Sequence, residues 1–217
     1  VKVAVLGTGS VGKTIASKLV ELGHGVTMGS RSPDGEALRE WVDGAGEGAS
    51  GGSFAAAAAA GELVFNCTAG AASLDALAAA GADNLAGKTL VDVSNPLDFS
   101  GGMPPTLTVC NDDSLGERIQ AAFPAARVVK ALNTVNAAIM VAPQRVPGAH
   151  NLFVCGEDEG AKAETIDLLE SFGWPRDAVI DLGGIEAARG TEMYLPLWLR
   201  LMGTLGSPEF NIEVRSA

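Results

Sequence analysis

Two histidines, three cysteines and one tyrosine are all that 217 residues offer to the commonest catalytic and metal-binding chemistries. With only His24 and His150, a His-rich metal site is excluded, no metal is expected, and Ser–His or Cys–His catalysis has little to draw on. Cys67, Cys110 and Cys155 are odd in number and widely spaced, so neither a disulfide framework nor a paired metal-ligand spacing is present. Basic residues are scarce: 15 against 26 acidic ones, a formal net charge of -11. A nucleic-acid partner is therefore not expected, since it would want a basic stripe over its phosphates. A small anionic ligand is not excluded, because it feels its local site and not the sum. No uninterrupted apolar run reaches the ~18 residues of a membrane span. Val1 already begins a strand, so no signal peptide is expected, and the cytoplasm is the default location. Hydrophobic residues at 47% and charged residues at 19% describe a folded globular chain with one good-sized core.

What is present begins at once. Val1 to Leu6 is nearly all apolar and Val-rich, as a strand covered on both faces should be. Gly7-Thr8-Gly9-Ser10-Val11-Gly12 follows directly. Val11, Ile15, Leu19 and Leu22 then recur at helical spacing up to Gly23, and Val26-Thr27-Met28 reads as a second strand. A G-x-G-x-x-G pattern alone is weak, but between an apolar strand and an amphipathic helix it is specific. Gly7 allows the tight turn, Gly9 lets a pyrophosphate approach the backbone, and Gly12 lets helix and sheet come close. The helix N-terminus supplies free N–H groups and a favourable dipole, and the Thr8 and Ser10 hydroxyls can add contacts.

The tip of the second strand bears on which dinucleotide. An NAD site normally ends this strand in Asp or Glu for the ribose 2′-hydroxyl. Here the chain reads Met28-Gly29-Ser30-Arg31-Ser32, with no carboxylate at the tip. Arg31 can pair with a 2′-phosphate, and Ser30 and Ser32 can donate to the same oxygens. NADP(H) is thus the expected cofactor. Asp34 and Glu36 follow closely and dilute the positive field.

The α/β alternation runs on. Helices are expected over 33–42, 54–60, 72–80, 114–123 and 159–172, and strands over 63–67, 89–93, 127–132, 151–155 and 179–181. Residues 44–53 read as a Gly/Ser/Ala loop, 185–202 as one apolar helix with Pro196 near a kink or start, and 210–214 as a final strand. The fold class is α/β, a Rossmann-type doubly wound, mostly parallel sheet with a small C-terminal α/β extension. A soft boundary separates an NADP-binding domain at 1–143 from a smaller substrate or dimerisation region at 144–217.

With those residues in view, the chain resembles the family of F420-dependent NADP oxidoreductases, the NADPH-dependent F420 reductases. The likeness lies in V-A-V-L-G-T-G-S-V-G over 3–12 and in G-H-x-V-x-x-G-S-R over 23–31, where Ser30 and Arg31 match the 2′-phosphate pair. Ser94-Asn95-Pro96-Leu97, Lys130-Ala131-Leu132-Asn133-Thr134 and Ala188-Arg189-Gly190-Thr191-Glu192 also resemble family blocks. The resemblance covers almost the whole chain. It implies a hydride passed between NADP(H) and coenzyme F420, in a homodimer. Two departures stand out: archaeal members carry His where this chain has Asn133, and some relatives have a lysine after the Ser-Arg pair. The same domain is also similar to the cytosolic part of membrane ferric reductases, which work with flavin.

Hydride transfer between two stacked rings needs orientation more than acid–base groups. The pocket should lie beyond the carboxyl ends of the strands. Candidates there are Cys67 and Thr68, Ser94 and Asn95, and Ala131, with Asn133 and Thr134 positioning the ring. Asn95 before Pro96 equally fits a plain turn, Thr134 a helix cap, and Cys67 a small buried hydrophobe. Cys110 and Cys155 read as core residues. Glu192 reads as a buried or interface partner of Arg189 or Arg200. Met193 to Trp198 fits core, a dimer interface or a pocket wall. Lys130 is the one obvious proton donor for carbonyl reduction, an awkward one within a strand. Besides the F420 reading, an NADPH-dependent reductase using flavin or another small acceptor, and a non-enzymatic NADP(H) redox sensor, both remain open.

Overall fold

The apolar strand that opens the sequence is central to the molecule. In the computed structural model, which describes residues 1–216, β1 (Lys2–Leu6) sits inside an eight-stranded sheet. Val3 and Val5 face one side and Ala4 and Leu6 the other, each packed into a separate hydrophobic cluster. Burial on both faces is why this strand lacks a polar alternation.

Along the chain follow α1 (Ser10–Glu21), β2 (Gly25–Ser30), α2 (Glu36–Ala45), β3 (Ala49–Ser53), α3 (Phe54–Ala60), β4 (Leu63–Asn66), α4 (Gly70–Ala80), α5 (Ala82–Leu85) and β5 (Thr89–Asp92). Next come the short strands β6 (Leu97–Asp98) and β7 (Thr106–Leu107), α6 (Leu115–Ala122), β8 (Arg127–Ala131) and α7 (Ala137–Met140). The chain continues through β9 (Leu152–Cys155), α8 (Glu159–Ser171), β10 (Val179–Asp181), α9 (Ala188–Met193) and α10 (Leu195–Leu205).

The strand order is β10-β9-β8-β5-β4-β1-β2-β3. All neighbours are parallel except β8 and β9, so the last two strands run against the rest. One face carries α1, α2, α7 and α8, with Ile15, Leu19, Trp41 and Trp174 in its core. The other carries α3, α4, α5, α6 and α9 around Leu77, Leu85, Leu90 and Ile119. Each such large side chain contributes about 1.5–3 kcal/mol by leaving water. The winding reverses between β1 and β4, which places a crevice outside their carboxyl ends. Among the described residues, no helix is long and apolar enough to cross a membrane.

Three sequence-based expectations need correction. Residues 44–53 are not all loop, because Ala49–Ser53 forms β3, paired in parallel with β2. Its Ala-Ser-Gly-Gly-Ser composition has no strand propensity, and its glycines answer to packing instead. A Cβ on Gly51 would come within 2.8 Å of Leu38 on α2. The apolar run from 185 is not one helix: a single 3₁₀ turn at Ile185–Ala187 leads into α9, and α10 begins afresh with Pro196 in its first turn. Pro lacks the N–H that a continuous helix would need there. Residues 210–214 make no strand. Their backbone is held one bond at a time, by Asn151 N–H donating to the Ile212 carbonyl at 2.9 Å and Val214 N–H to Asn151 Oδ1 at 2.7 Å.

Candidate dinucleotide site

The glycine turn is built by three different constraints. Gly7 has φ +119°, and a Cβ there would lie 2.7 Å from the Cys67 carbonyl oxygen. Gly12 packs so tightly that its Cβ would come 2.1 Å from the Gly7 oxygen. Gly9 is the opposite case, because an added Cβ would meet no atom within 4 Å. Gly9 caps α1 with extended backbone, its carbonyl accepting from Lys13 N–H at 2.9 Å, and no side chain caps that helix among the described residues. The helix thus turns unpartnered N–H groups toward open space, as an anion site requires.

That space is a groove of about 710 Å³. The turn residues Gly7, Thr8 and Gly9 line it at one end, and Ser30, Arg31 and Ser32 line it beyond β2. Ser30 is buried, and its Oγ both accepts from Ser32 N–H at 3.0 Å and donates to the Ser32 carbonyl at 3.1 Å. This small turn fixes the strand tip. Arg31 is exposed and in no ion pair among the described residues, so Asp34 and Glu36 do not engage it, although Glu36 lines the groove. Phe54 and Ala76 supply an apolar wall.

A second cavity of about 390 Å³ adjoins the first, sharing Cys67, Thr68 and Ala69 with it. Val11, Ser94, Asn95, Leu97 and Phe99 are among the other residues of its wall. The Cys67 thiol is pushed up from its ordinary pKa, first by burial and then by the nearby Asp92 charge, so it stays neutral. Asn133 and Thr134 are buried just after β8, and Ala131 is fully buried within it. Leu132 between them takes φ +65°, a left-handed backbone that swings the chain at this point. Asn95 Nδ2 donates to the Asn133 carbonyl at 2.9 Å, and Asn133 Nδ2 donates back to Asn95 Oδ1 at 3.0 Å. Asn133 Oδ1 is buried without a partner. Thr134 caps no helix; Asn136 does, its side chain accepting from Ala138 N–H.

A charged cluster behind this wall escaped the sequence reading. Lys130 points into the core with its side chain fully buried, 2.7 Å from Asp92 and 2.7 Å from Glu192. Burial pulls the ammonium pKa down, but the two carboxylates more than offset that and hold it above the ordinary lysine value. Glu192 also accepts from the Leu115 and Gly116 N–H groups at 2.8 and 3.0 Å, at the start of α6. Glu192 is therefore the partner of Lys130, not of Arg189 or Arg200, and Arg189 pairs with Glu117 instead. The signal was invisible because β5, β8 and α9 are distant in sequence. A lone lysine within an apolar strand, and Glu192 in a largely apolar segment, were the only hints.

Other expectations divide. Cys155 is buried in the core, while Cys110 is only half-buried. His150 is buried against Trp174 and engaged by the Pro143 carbonyl and Asn211. On α10 only Leu195 is buried, and Leu197 and Leu205 are 55% and 58% exposed. Trp198 stacks on Phe210, with ring centres 5.4 Å apart.

The fold and the groove define a Rossmann-type NADP-binding oxidoreductase, with a glycine turn, a helix N-terminus without a side-chain cap and an exposed Arg31 at the tip of β2. Residues 2–96 match the family described as NADP oxidoreductase, coenzyme F420-dependent. A crystal structure of a protein provisionally named an F420-dependent NADP-reductase, from Arthrobacter sp. FB24, is 52% identical, covers 99% of both chains and superposes with a TM-score of 0.94. The protein belongs to the F420-dependent NADP oxidoreductase family. Metalloreductase STEAP3 of Rattus norvegicus is 30% identical over 212 residues; the match takes in 91% of this chain but only 38% of that protein. A reductive aminase from Aspergillus terreus, solved with NADPH, is 20% identical with a TM-score of 0.67, covering 94% of this chain and 62% of that one, and shares the fold.

Proposed function

We propose that the protein transfers a hydride between NADP(H) and coenzyme F420, using the groove for the adenosine half of the dinucleotide and the adjoining cavity for the ring that reacts. The observation that carries this reading is the open space over Gly9 between an uncapped α1 and the Ser30–Arg31 tip. When bound, NADPH supplies the hydride; with one proton from solvent it takes oxidised F420 to its dihydro form. The protein's own part is to hold and orient. Backbone N–H groups after Gly9 bind the pyrophosphate, and Arg31 with Ser32 binds the 2′-phosphate. Thr68, Ser94 and Asn95 border the reacting ring. The unpartnered Asn133 Oδ1 would accept an N–H from its carboxamide, which a buried orphan acceptor favours by about 1–3 kcal/mol. Neutral groups suit this task, since hydride transfer between two rings needs no charged acid–base pair at the reacting atoms.

For the acceptor's anionic tail, Arg176 and Arg189 are already engaged by carboxylates, whereas Arg200 is in no ion pair among the described residues. We assign residues 144–217 to acceptor binding and dimerisation. The support is α10, whose apolar side chains stay exposed in one copy and would be covered by a second. The net charge of -11 supports the absence of a nucleic-acid partner, and the cytoplasm is the default location.

Anaerobic turnover of NADPH against F420, with FMN and FAD in parallel and NADH as cofactor control, tests the assignment. Rapid F420 reduction by NADPH is expected. NADPH binding without F420 turnover would overturn it, and flavin turnover would favour a flavin-linked reductase, a reading the likeness to a metalloreductase supports.

A further inference from the structure

Three ionised side chains meet where β5, β8 and α9 come together behind the wall of the smaller cavity. The Lys130 ammonium reaches Asp92 Oδ2 at 2.7 Å, Glu192 Oε1 at 2.7 Å and the Ser94 carbonyl at 2.6 Å. All three side chains are at most 1% exposed. Desolvating such charges is costly, and core stability alone is often served as well or better by apolar side chains of similar volume. An apolar trio, however, would leave the Ser94 carbonyl without its donor and the Ser94 hydroxyl and Asn66 amide without their common acceptor.

The cluster is continuous with the cavity wall. Asp92 Oδ1 accepts from Ser94 N–H at 3.1 Å, Ser94 Oγ at 2.7 Å and Asn66 Nδ2 at 2.8 Å. Asn66 Oδ1 in turn accepts from the Thr68 hydroxyl at 2.7 Å. Ser94 and Thr68 both line the cavity. Because each hydroxyl proton is committed inward, the two oxygens are left as acceptors toward the cavity. A ring amide N–H finds partners there, whereas a bare carbonyl does not.

We propose that Lys130 is a positioning residue: through Asp92 and the Ser94 carbonyl it sets the edge of the cavity and orients the Ser94 and Thr68 hydroxyls as acceptors for the carboxamide of the nicotinamide. The proposal rests on the NADP(H) reading above. Glu192 extends the same tie to α9 and the start of α6, so the C-terminal region is held to that edge by one ammonium.

The test separates the two halves of the dinucleotide. Wild type, Lys130→Met, and the triple variant Asp92→Asn/Lys130→Met/Glu192→Gln are titrated with 2′,5′-ADP and with NADPH, and the fluorescence of bound nicotinamide is recorded. The triple variant leaves no unpaired charge and decides the matter if Lys130→Met does not fold. Binding of 2′,5′-ADP within about twofold of wild type is expected, with NADPH binding weakened about tenfold and nicotinamide fluorescence altered, because loss of a well-placed hydrogen bond weakens binding by about that factor. Unchanged NADPH binding, or an equal loss for both ligands, overturns the role. Wild type that fails to bind 2′,5′-ADP sinks the NADP(H) reading itself.

Discussion

Asn95, in the wall of the smaller cavity, and the buried Asn133 clasp each other, side chain to backbone at 2.9 Å and side chain to side chain at 3.0 Å. The clasp joins the segments that leave β5 and β8, and it leaves Asn133 Oδ1 free of any protein partner. Asn133→Ala removes the second bond and the orphan acceptor together. Stability should fall by about 1 kcal/mol and kcat/KM for NADPH by about tenfold. Steady-state kinetics beside a urea melt checks both, and kinetics indistinguishable from wild type would remove Asn133 from the site.

Arg31 stands at the strand tip in no ion pair among the described residues. Arg31→Ala should raise KM for NADPH by about ten- to hundredfold, the worth of a charge-assisted phosphate contact, and leave KM for NADH nearly unchanged. Equal effects on the two cofactors would mean that Arg31 does not read the 2′-phosphate.

Gly9 and Gly12 should respond in opposite ways. Gly9→Ala adds a methyl group to open space on ordinary extended backbone, so melting should hardly change while NADPH binding falls. Gly12→Ala drives a methyl against the Gly7 carbonyl, 2.1 Å away, and should destabilise the fold by roughly 1–3 kcal/mol. Thermal melts with and without NADPH distinguish the two, and a Gly9→Ala variant that binds normally would place the pyrophosphate elsewhere.

Glu117 of α6 is held below the ordinary glutamate pKa, chiefly by the Arg189 guanidinium of α9, which outweighs the opposing effect of burial. A carboxylate depressed in the folded state contributes stability above its unfolded pKa and loses it as pH falls through the folded value. Wild type should therefore lose this contribution in the acid range, below about pH 4.3, the unfolded glutamate value. Glu117→Gln should melt lower at neutral pH and show a flatter acid limb. Parallel melting curves for the two proteins between pH 7 and pH 3, a range of about four units around that value, would contradict the assignment.

Leu197 and Leu205 lie exposed on a mostly apolar α10. Leu197→Glu should shift the protein from dimer to monomer in light scattering without loss of secondary structure. A monomeric wild type would dispose of the dimer.

The cofactor turn was legible because everything it needs is local: an apolar strand, three glycines and a helix are consecutive in sequence, and so is the Ser30–Arg31 tip. Period and composition likewise determined the α/β alternation, since burial on both faces imposes near-continuous apolar strands. β3 was hidden because Gly51 makes room for α2 and Gly52 for α3 rather than serving the strand, and the break before α10 because an apolar run carries no mark of where it turns. The partners of Lys130, the clasp between Asn95 and Asn133, and the union of the two cavities at Thr68 belong to the tertiary structure alone. Each joins residues from elements far apart in sequence that the winding of the sheet brings together. Sequence periodicity records which face of a strand is buried, but not which strand lies beside it or which charge waits there.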